Sequence, residues 1–234
     1  MGENMASEHS GPLFENYDSL VRRIVPRYDE MTMRVVEHLP ATATRILELG
    51  CGTGNLSIAL AARFSDAELT FVDAAPSMLA AARSRLESAH PHVMKRARFV
   101  EARFEDMKLA AGSFDVITSQ MSLHHVEKKG ALFQQLFTLL TEGGAVCFAD
   151  RMIGGTEENQ AASWQRWVDH CRRNCTEAEV EGLIRHAEAH DHYASLADHF
   201  HLLESAGFRG LDCVWRDWAW AIVSATRMAS RSGK

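Results

Sequence analysis

The chain has 234 residues, 46% hydrophobic and 24% charged, with a formal net charge of -6. That is enough apolar material for a sizeable core, and the acidic balance offers no broad positive field to phosphate backbones or anionic lipid. No apolar run nears the roughly 20 residues that span a bilayer, so the expectation is a cytoplasmic protein without membrane contact, and nucleic acid is disfavoured as its main partner.

Residues 1–12 are polar and aperiodic, and read as a disordered tail without the basic and apolar regions of a signal peptide. Residues 13–40 read as a helical lid. Tyr17, Leu20, Val21 and Ile24 form a stripe, Pro26 breaks it, and a second helix begins near Asp29 with Met33, Val36 and Leu39 inward. From Arg45, short runs rich in β-branched and aromatic residues (45–50, 68–73, 96–101, 114–120 and 144–150) alternate with helical segments at 55–63, 76–89 and 128–140. Strands separated by helices of that length imply parallel pairing and a doubly wound sheet covered on both faces. Residues 156–205 read as a helical insertion holding Trp164, Trp167 and several of the twelve histidines. Two strand-like runs, 211–217 and 218–226, follow with almost nothing between them. They predict an antiparallel hairpin at the sheet edge, with Trp218, Trp220 and Ile222 on one buried face. Residues 13–230 are expected to form a single domain. The five cysteines, an odd number, fit reduced thiols better than a disulfide framework.

The stretch "RILELGCGTGNLS" (45–57) puts a glycine turn between a strand and a helix, where backbone amides can approach a ligand closely. A dinucleotide fingerprint needs its third glycine at position 55, which is Asn55; Gly54 precedes it. Glu48, just before the turn, is a poor neighbour for a pyrophosphate and suits a ligand carrying an ammonium group. Asp73 ends the next strand, where a carboxylate can accept from both ribose hydroxyls of an adenosine. The alternative role for Asp73 is to cap the helix that begins near Pro76.

Together "ILELGCGTGNLS", "FVDAAPSML", "FDVITSQMSLHHVEKK", "LTEGGAVCFADRM" and "LLESAGFRGLDCVWRDWAWAIVSA" resemble a class I methyltransferase dependent on S-adenosylmethionine, over roughly residues 14–226. The resemblance implies a Rossmann-like, seven-stranded mixed sheet whose last strand inserts antiparallel. The segment "VRRIVPRYDEM" is similar to small bacterial methyltransferases related to carboxy-adenosylmethionine synthase. That likeness implies that Tyr28 helps close the cofactor site and that Gly50, Cys51, Gly52 and Gly54 form the loop. It places Asp73 and Ala74 at the ribose, Met78 and Phe104 near the adenosine, and Gln120 at the methionine end. Two positions depart from the pattern. Arg103 stands where relatives carry an adenine-binding Asp, with Phe104 to pack on the ring and Glu105 or Asp106 to supply the acceptor. Leu202 stands where the synthase has an arginine for the extra carboxylate of its ligand, which favours the ordinary methyl donor.

Methyl transfer from a sulfonium is an in-line displacement, so the protein chiefly aligns the reactants and excludes water. His124 and His125 follow the fourth strand at the edge where such sheets bind ligands, and are the candidate bases or acceptor contacts. Asp150 and Trp164 are candidates for acceptor binding. His186 and His190 are spaced to chelate, but the segment is polar all round and reads as solvated, so no metal is expected. The expected activity is methylation of a small-molecule acceptor, with S-adenosylhomocysteine as product, by a monomer or homodimer. The alternatives are a carboxy-adenosylmethionine synthase-like tRNA-modification enzyme and a non-catalytic adenosylmethionine-binding protein.

Overall fold

Near-continuous apolar runs at 45–49, 68–73 and 114–120 bury both faces of those strands, and helices are available to cover them. The computed structural model describes residues 17–229; the expected tail at 1–12 and the first residues of the expected lid lie outside them. Two short helices, α1 (Tyr17–Ile24) and α2 (Tyr28–His38), precede the sheet. Then come β1 (Arg45–Leu49), α3 (Asn55–Arg63), β2 (Glu68–Asp73), α4 (Pro76–Ala89), β3 (Ala97–Glu101), β4 (Phe114–Gln120), α5 (Lys129–Leu139) and β5 (Leu140–Arg151). Three helices, α6 (Glu157–Asn174), α7 (Glu177–His190) and α8 (Leu196–Ala206), lead to β6 (Arg209–Asp217) and β7 (Trp220–Thr226).

The seven strands lie in the order β3-β2-β1-β4-β5-β7-β6. All neighbours are parallel except β7, which is antiparallel to both β5 and β6. The order reverses between β1 and β4, so the C-terminal ends of these strands open a crevice, the usual ligand site of such sheets. No helix among the described residues is long and apolar enough to cross a membrane.

The two sheet faces carry separate apolar clusters, and β1 feeds both: Ile46 packs with the lid and Leu47 with the opposite layer. The stretch expected as one helical insertion divides between them. Trp167, Val168 and Cys171 of α6 and Val180 and Leu183 of α7 join the lid-side cluster, while Leu203 of α8 joins the other. Each of the three helices has its own start signal. Thr156 caps α6, and Thr176–Glu179 and Ser195–Asp198 form reciprocal capping boxes for α7 and α8. Helix α8 packs on α5, where the Leu202 side chain approaches Gly130.

Three expectations shift. Met33 is exposed and Met31, two residues earlier, is fully buried. The fifth strand starts at Leu140 rather than 144, because its irregular first part still pairs Leu140 with Phe114. Trp218 is not on the strand face: it occupies the hairpin turn at φ 51° and is 48% exposed, while Trp220 and Ile222 are buried as expected.

Candidate active site

At the end of β1 the chain turns through Gly50, Gly52 and Gly54, all with positive φ. Gly50 is required twice over. Its φ is 63°, and a Cβ there would stand 2.4 Å from Cβ and Oγ of Ser122. Cys51 N–H donates to the carbonyl of Val72, tying the loop to the end of β2. The Gly52 N–H then donates to Asp73 Oδ2 at 2.8 Å, and the Ala75 N–H to Oδ1 at 2.9 Å. Asp73 therefore accepts from two backbone amides just ahead of α4, without capping that helix, and keeps a carboxylate at the cavity wall, each oxygen with acceptor capacity to spare. Burial pushes its carboxyl above the usual range, against the pull of these amides.

Glu48 lies at the floor of the same cavity, 2% exposed, and accepts from Ser57 Oγ at 2.7 Å. Burial raises its pKa to about 8, with the Ser57 hydrogen bond opposing. A cationic group entering the cavity would restore its charge. Gln120 Nε2 donates to Thr32, while Gln120 Oε1 is buried without a hydrogen-bond partner among the described residues. The cavity is therefore lined by the Glu48 and Asp73 carboxylates and by one orphaned carbonyl oxygen, that of Gln120. That fits the ammonium and the ribose of an adenosylmethionine.

Tyr28 and Tyr17 of the lid complete the wall, together with Ala74, Met78, Phe104 and Arg103. Burial pushes the Tyr28 phenol up to about 12. Asp18 of α1 latches the lid to the loop: it accepts from Thr53 Oγ1 and Asn55 Nδ2 and pairs with Arg85 of α4 at 2.8 Å. Arg85 also donates to the Thr53 carbonyl. Glu105 pairs with Arg103, and neither Glu105 nor Asp106 lines the cavity, so no carboxylate replaces the missing adenine acceptor there. Gly54 is also outside the lining. It caps α3 at φ 89° and lets that helix approach the Ala82 backbone of α4, where a Cβ would stand at 3.1 Å.

After β4, Met121 takes φ 55°, a strained conformation for a side chain of this size, and the chain enters a 3-10 turn at Leu123–His125. The two histidines then separate in role. His125 lines the cavity; His124 does not. His124 is instead locked to Asp150 at the end of β5: its N–H meets Oδ2 at 2.9 Å and its Nδ1 meets Oδ1 at 2.6 Å. Burial lowers the His124 pKa, but the Asp150 carboxylate outweighs that and holds it above the usual value. Burial and the neighbouring His124 hold His125 below its usual value.

Asp150, expected at the acceptor, is corrected to a support. It is 1% exposed, and its oxygens are taken by His124 and the Arg151 N–H. Trp164 is corrected likewise. It packs edge-on against Trp167 and on the guanidinium of Arg151, away from the cavity. Leu202 also lies off the cavity, against α5, so its identity says nothing about an extra carboxylate on the donor.

Asp191, in the loop after α7 and near in sequence to His186 and His190, reaches His124 and His125 instead. Its Oδ1 stands 3.3 Å from His125 Nδ1 and 3.8 Å from His124 Nε2, and Tyr193 donates to its Oδ2. Arg151 donates to the Tyr193 hydroxyl at 3.2 Å. Burial works against the charge on Asp191, yet its neighbours His125, His124 and Tyr193 hold the carboxyl far below the usual range. The loop is carried there by two backbone links, His192 N–H to the His124 carbonyl and Ile153 N–H to that of Ala194. His186, expected in solvent, has its pKa lowered to about 4 by burial, and its ring centre lies 6.3 Å from that of His125.

The sheet order and the glycine loop after β1 are those of a Rossmann-like class I methyltransferase fold. Residues 46–144 match the family model for a methyltransferase domain. The chain is 33% identical over 126 residues to the malonyl-[acyl-carrier protein] O-methyltransferase of Laribacter hongkongensis, covering 52% of this chain and 41% of that one. It is 27% identical over 163 residues to the carboxy-S-adenosyl-L-methionine synthase of Chromohalobacter salexigens, covering 68% and 60%. Both matches span less than two thirds of the relative's length. The phosphoethanolamine N-methyltransferase 2 of Haemonchus contortus, solved with S-adenosyl-L-methionine, superposes with a TM-score of 0.68 at 13% identity, over 97% of this chain and 61% of that one.

Proposed function

We propose that this chain transfers the methyl group of S-adenosylmethionine to a small-molecule acceptor, with S-adenosylhomocysteine as the other product. The observation that supports this best is the Asp73 carboxylate, fixed by the Gly52 and Ala75 amides in the wall of a cavity that buried Glu48 and Gln120 also line. When bound, the sulfonium supplies an activated methyl carbon, so the chain has no bond to activate on the donor side. Glu48 and the Gln120 carbonyl hold the ammonium end, the Gly50–Gly52 backbone accommodates the chain between, and Phe104 offers a face to the adenine. Tyr17, Tyr28 and the Asp18 latch close the lid and keep water from the reacting centre.

His125 also lines the cavity and is the group assigned to meet the acceptor. Its lowered pKa keeps the imidazole neutral near pH 7, ready to take a proton from a hydroxyl, thiol or ammonium acceptor. The acidic surface favours a small acceptor over nucleic acid. Titration calorimetry tests the donor: adenosylhomocysteine should bind, and a preference for a nicotinamide cofactor would make the chain a dehydrogenase instead. Incubation with labelled donor and a metabolite extract tests the acceptor. Label in an RNA fraction would overturn the small-molecule reading, and binding without transfer to anything would leave a cofactor-binding protein. Mass spectrometry of the ligand released from purified protein separates the ordinary donor from a carboxylated one.

A further inference from the structure

We propose that His124 Nε2, His125 Nδ1 and Asp191 Oδ1 form a binding site for one divalent transition-metal ion such as zinc, with a coordination position left for the acceptor's donor atom. The site stands on geometry alone, and its use in catalysis rests on the methyl-transfer reading above.

The three ligand atoms lie within 4.8 Å of one another. Asp191 Oδ1 is 3.3 Å from one imidazole nitrogen and 3.8 Å from the other, and it accepts no hydrogen bond from the described residues. Those separations are long for hydrogen bonds. They are close to the ~3.3–3.4 Å between ligands of a tetrahedral ion with bonds of about 2.0–2.1 Å. The rings are 4.1 Å apart between centres and tilted at 55°, so the imidazoles converge without bonding each other.

The surroundings orient these ligands as they do around metal ions. Asp150 accepts a hydrogen bond from His124 Nδ1–H at 2.6 Å, which leaves Nε2 as the nitrogen facing Asp191. Tyr193 donates to Asp191 Oδ2 and leaves Oδ1 for the ion, and Arg151 holds Tyr193 in turn. Each of these two ligating side chains therefore has a buried partner that fixes which atom it presents. Lys129 Nζ is nearby but is spent on the carbonyls of Val126 and His192. His125 also lines the cofactor cavity, so an ion held there would face the space where an acceptor must sit. A hydroxyl, thiol or carboxylate of the acceptor would take the remaining position. His125 would then act on the acceptor through the ion rather than by taking its proton.

The rival account is that a protonated His124 bridges Asp150 and Asp191 with no ion at all. Untagged full-length protein, stripped with chelator, is titrated with zinc chloride, and separately with cobalt(II), whose visible absorption reports low coordination. One zinc per chain is expected, with at least tenfold weaker binding in Asp191→Asn and His125→Ala and full binding in His186→Ala. Tyr193→Phe, which keeps every ligand, should weaken binding by about tenfold. Affinity for adenosylhomocysteine in the same variants reports whether they are folded. No stoichiometric zinc in the wild type would overturn the site. So would unchanged binding in Asp191→Asn, or loss in His186→Ala alone, which would move the ion to the His186–His190 pair. If zinc binds and adenosylhomocysteine does not, the site survives and the methyl-transfer reading fails; the opposite pattern removes only the site.

Discussion

On the cofactor side of the cleft, Glu48, Gly50, Gly52 and Asp73 come from one β1-loop-α3-β2 unit, and backbone amides do most of the holding. On the acceptor side, His125, His124, Asp150, Asp191 and Tyr193 come from three segments separated by whole helices, and side chains hold side chains. The first arrangement depends on local backbone conformation and tolerates changes elsewhere. The second depends on the sheet bringing β4 and β5 side by side and on the loop after α7 closing over them. Variants on the two sides should therefore fail differently, one in ligand affinity and the other in turnover or in stability.

The largest effect should follow loss of the buried Asp150–His124 pair. Asp150→Ala strands an imidazole whose raised pKa came from that carboxylate, and removing one partner of such a pair costs about 3–5 kcal/mol of folding stability. Urea unfolding reads it directly; a loss under 1 kcal/mol would mean that the acceptor side is not assembled as described. Next, His125→Ala should slow turnover by about 100-fold while affinity for adenosylhomocysteine stays within about threefold. Equal losses in both would erase the distinction between the two sides.

On the cofactor side, Gly50→Ala should weaken adenosylhomocysteine binding at least tenfold and destabilise the fold by roughly 1–3 kcal/mol, because φ 63° and the contact with Ser122 are both unfavourable. Adding Ser122→Gly should recover part of the loss, since it removes the clash but not the strained φ. No recovery would show that φ alone sets the cost.

Glu48 supplies a pH signature. Its folded pKa is raised, to about 8, above the value of 4.5 it starts from. Between those pH values the folded chain holds a proton that the unfolded chain has lost. The Glu48 contribution to stability is therefore largest at low pH, falls as pH climbs toward 8, and is flat above it. Affinity for an ammonium-bearing ligand runs the other way and rises toward pH 8 as the carboxylate ionises. Glu48→Gln should flatten both profiles, and pH-independent binding in the wild type would remove Glu48 from the ammonium. The smallest effect should be Asp18→Ala, worth about 0.2–1 kcal/mol because the latch is partly exposed. Faster release of adenosylhomocysteine in stopped flow would be its signal.

The same contrast explains how much could be read before the fold was known. Helices 55–63 and 76–89 coincide with α3 and α4, and the antiparallel hairpin follows from two apolar runs with no room between them. The shared cavity of Glu48, Gly50 and Asp73 was legible because their positions are fixed by a few residues of local chain. Asp191 was not: in the sequence it is one more acid in a histidine-rich polar stretch, and it is the hydrogen bonds linking residues 192–195 to Ile153, just past β5, and to the 3-10 turn that bring it to His125. Trp164 and Asp150 misled for the matching reason. Position at the right edge of the sheet does not say whether a side chain faces the cavity or props up a neighbour that does.

Strand β7 carries a consequence for how the chain is made. It sits between β5 and β6, and among the described residues it is the strand that pairs with the outer side of β5. A ribosome emits β5 some seventy residues before β7, so through that interval the nascent chain carries a long apolar strand with an open edge. α6, α7 and α8 are synthesised in the interval, each with its own cap, and can form locally while the sheet waits. The nascent molecule should thus be most prone to misassociation late in synthesis, and a stall before residue 220 should leave a chain that chaperones hold but cannot finish.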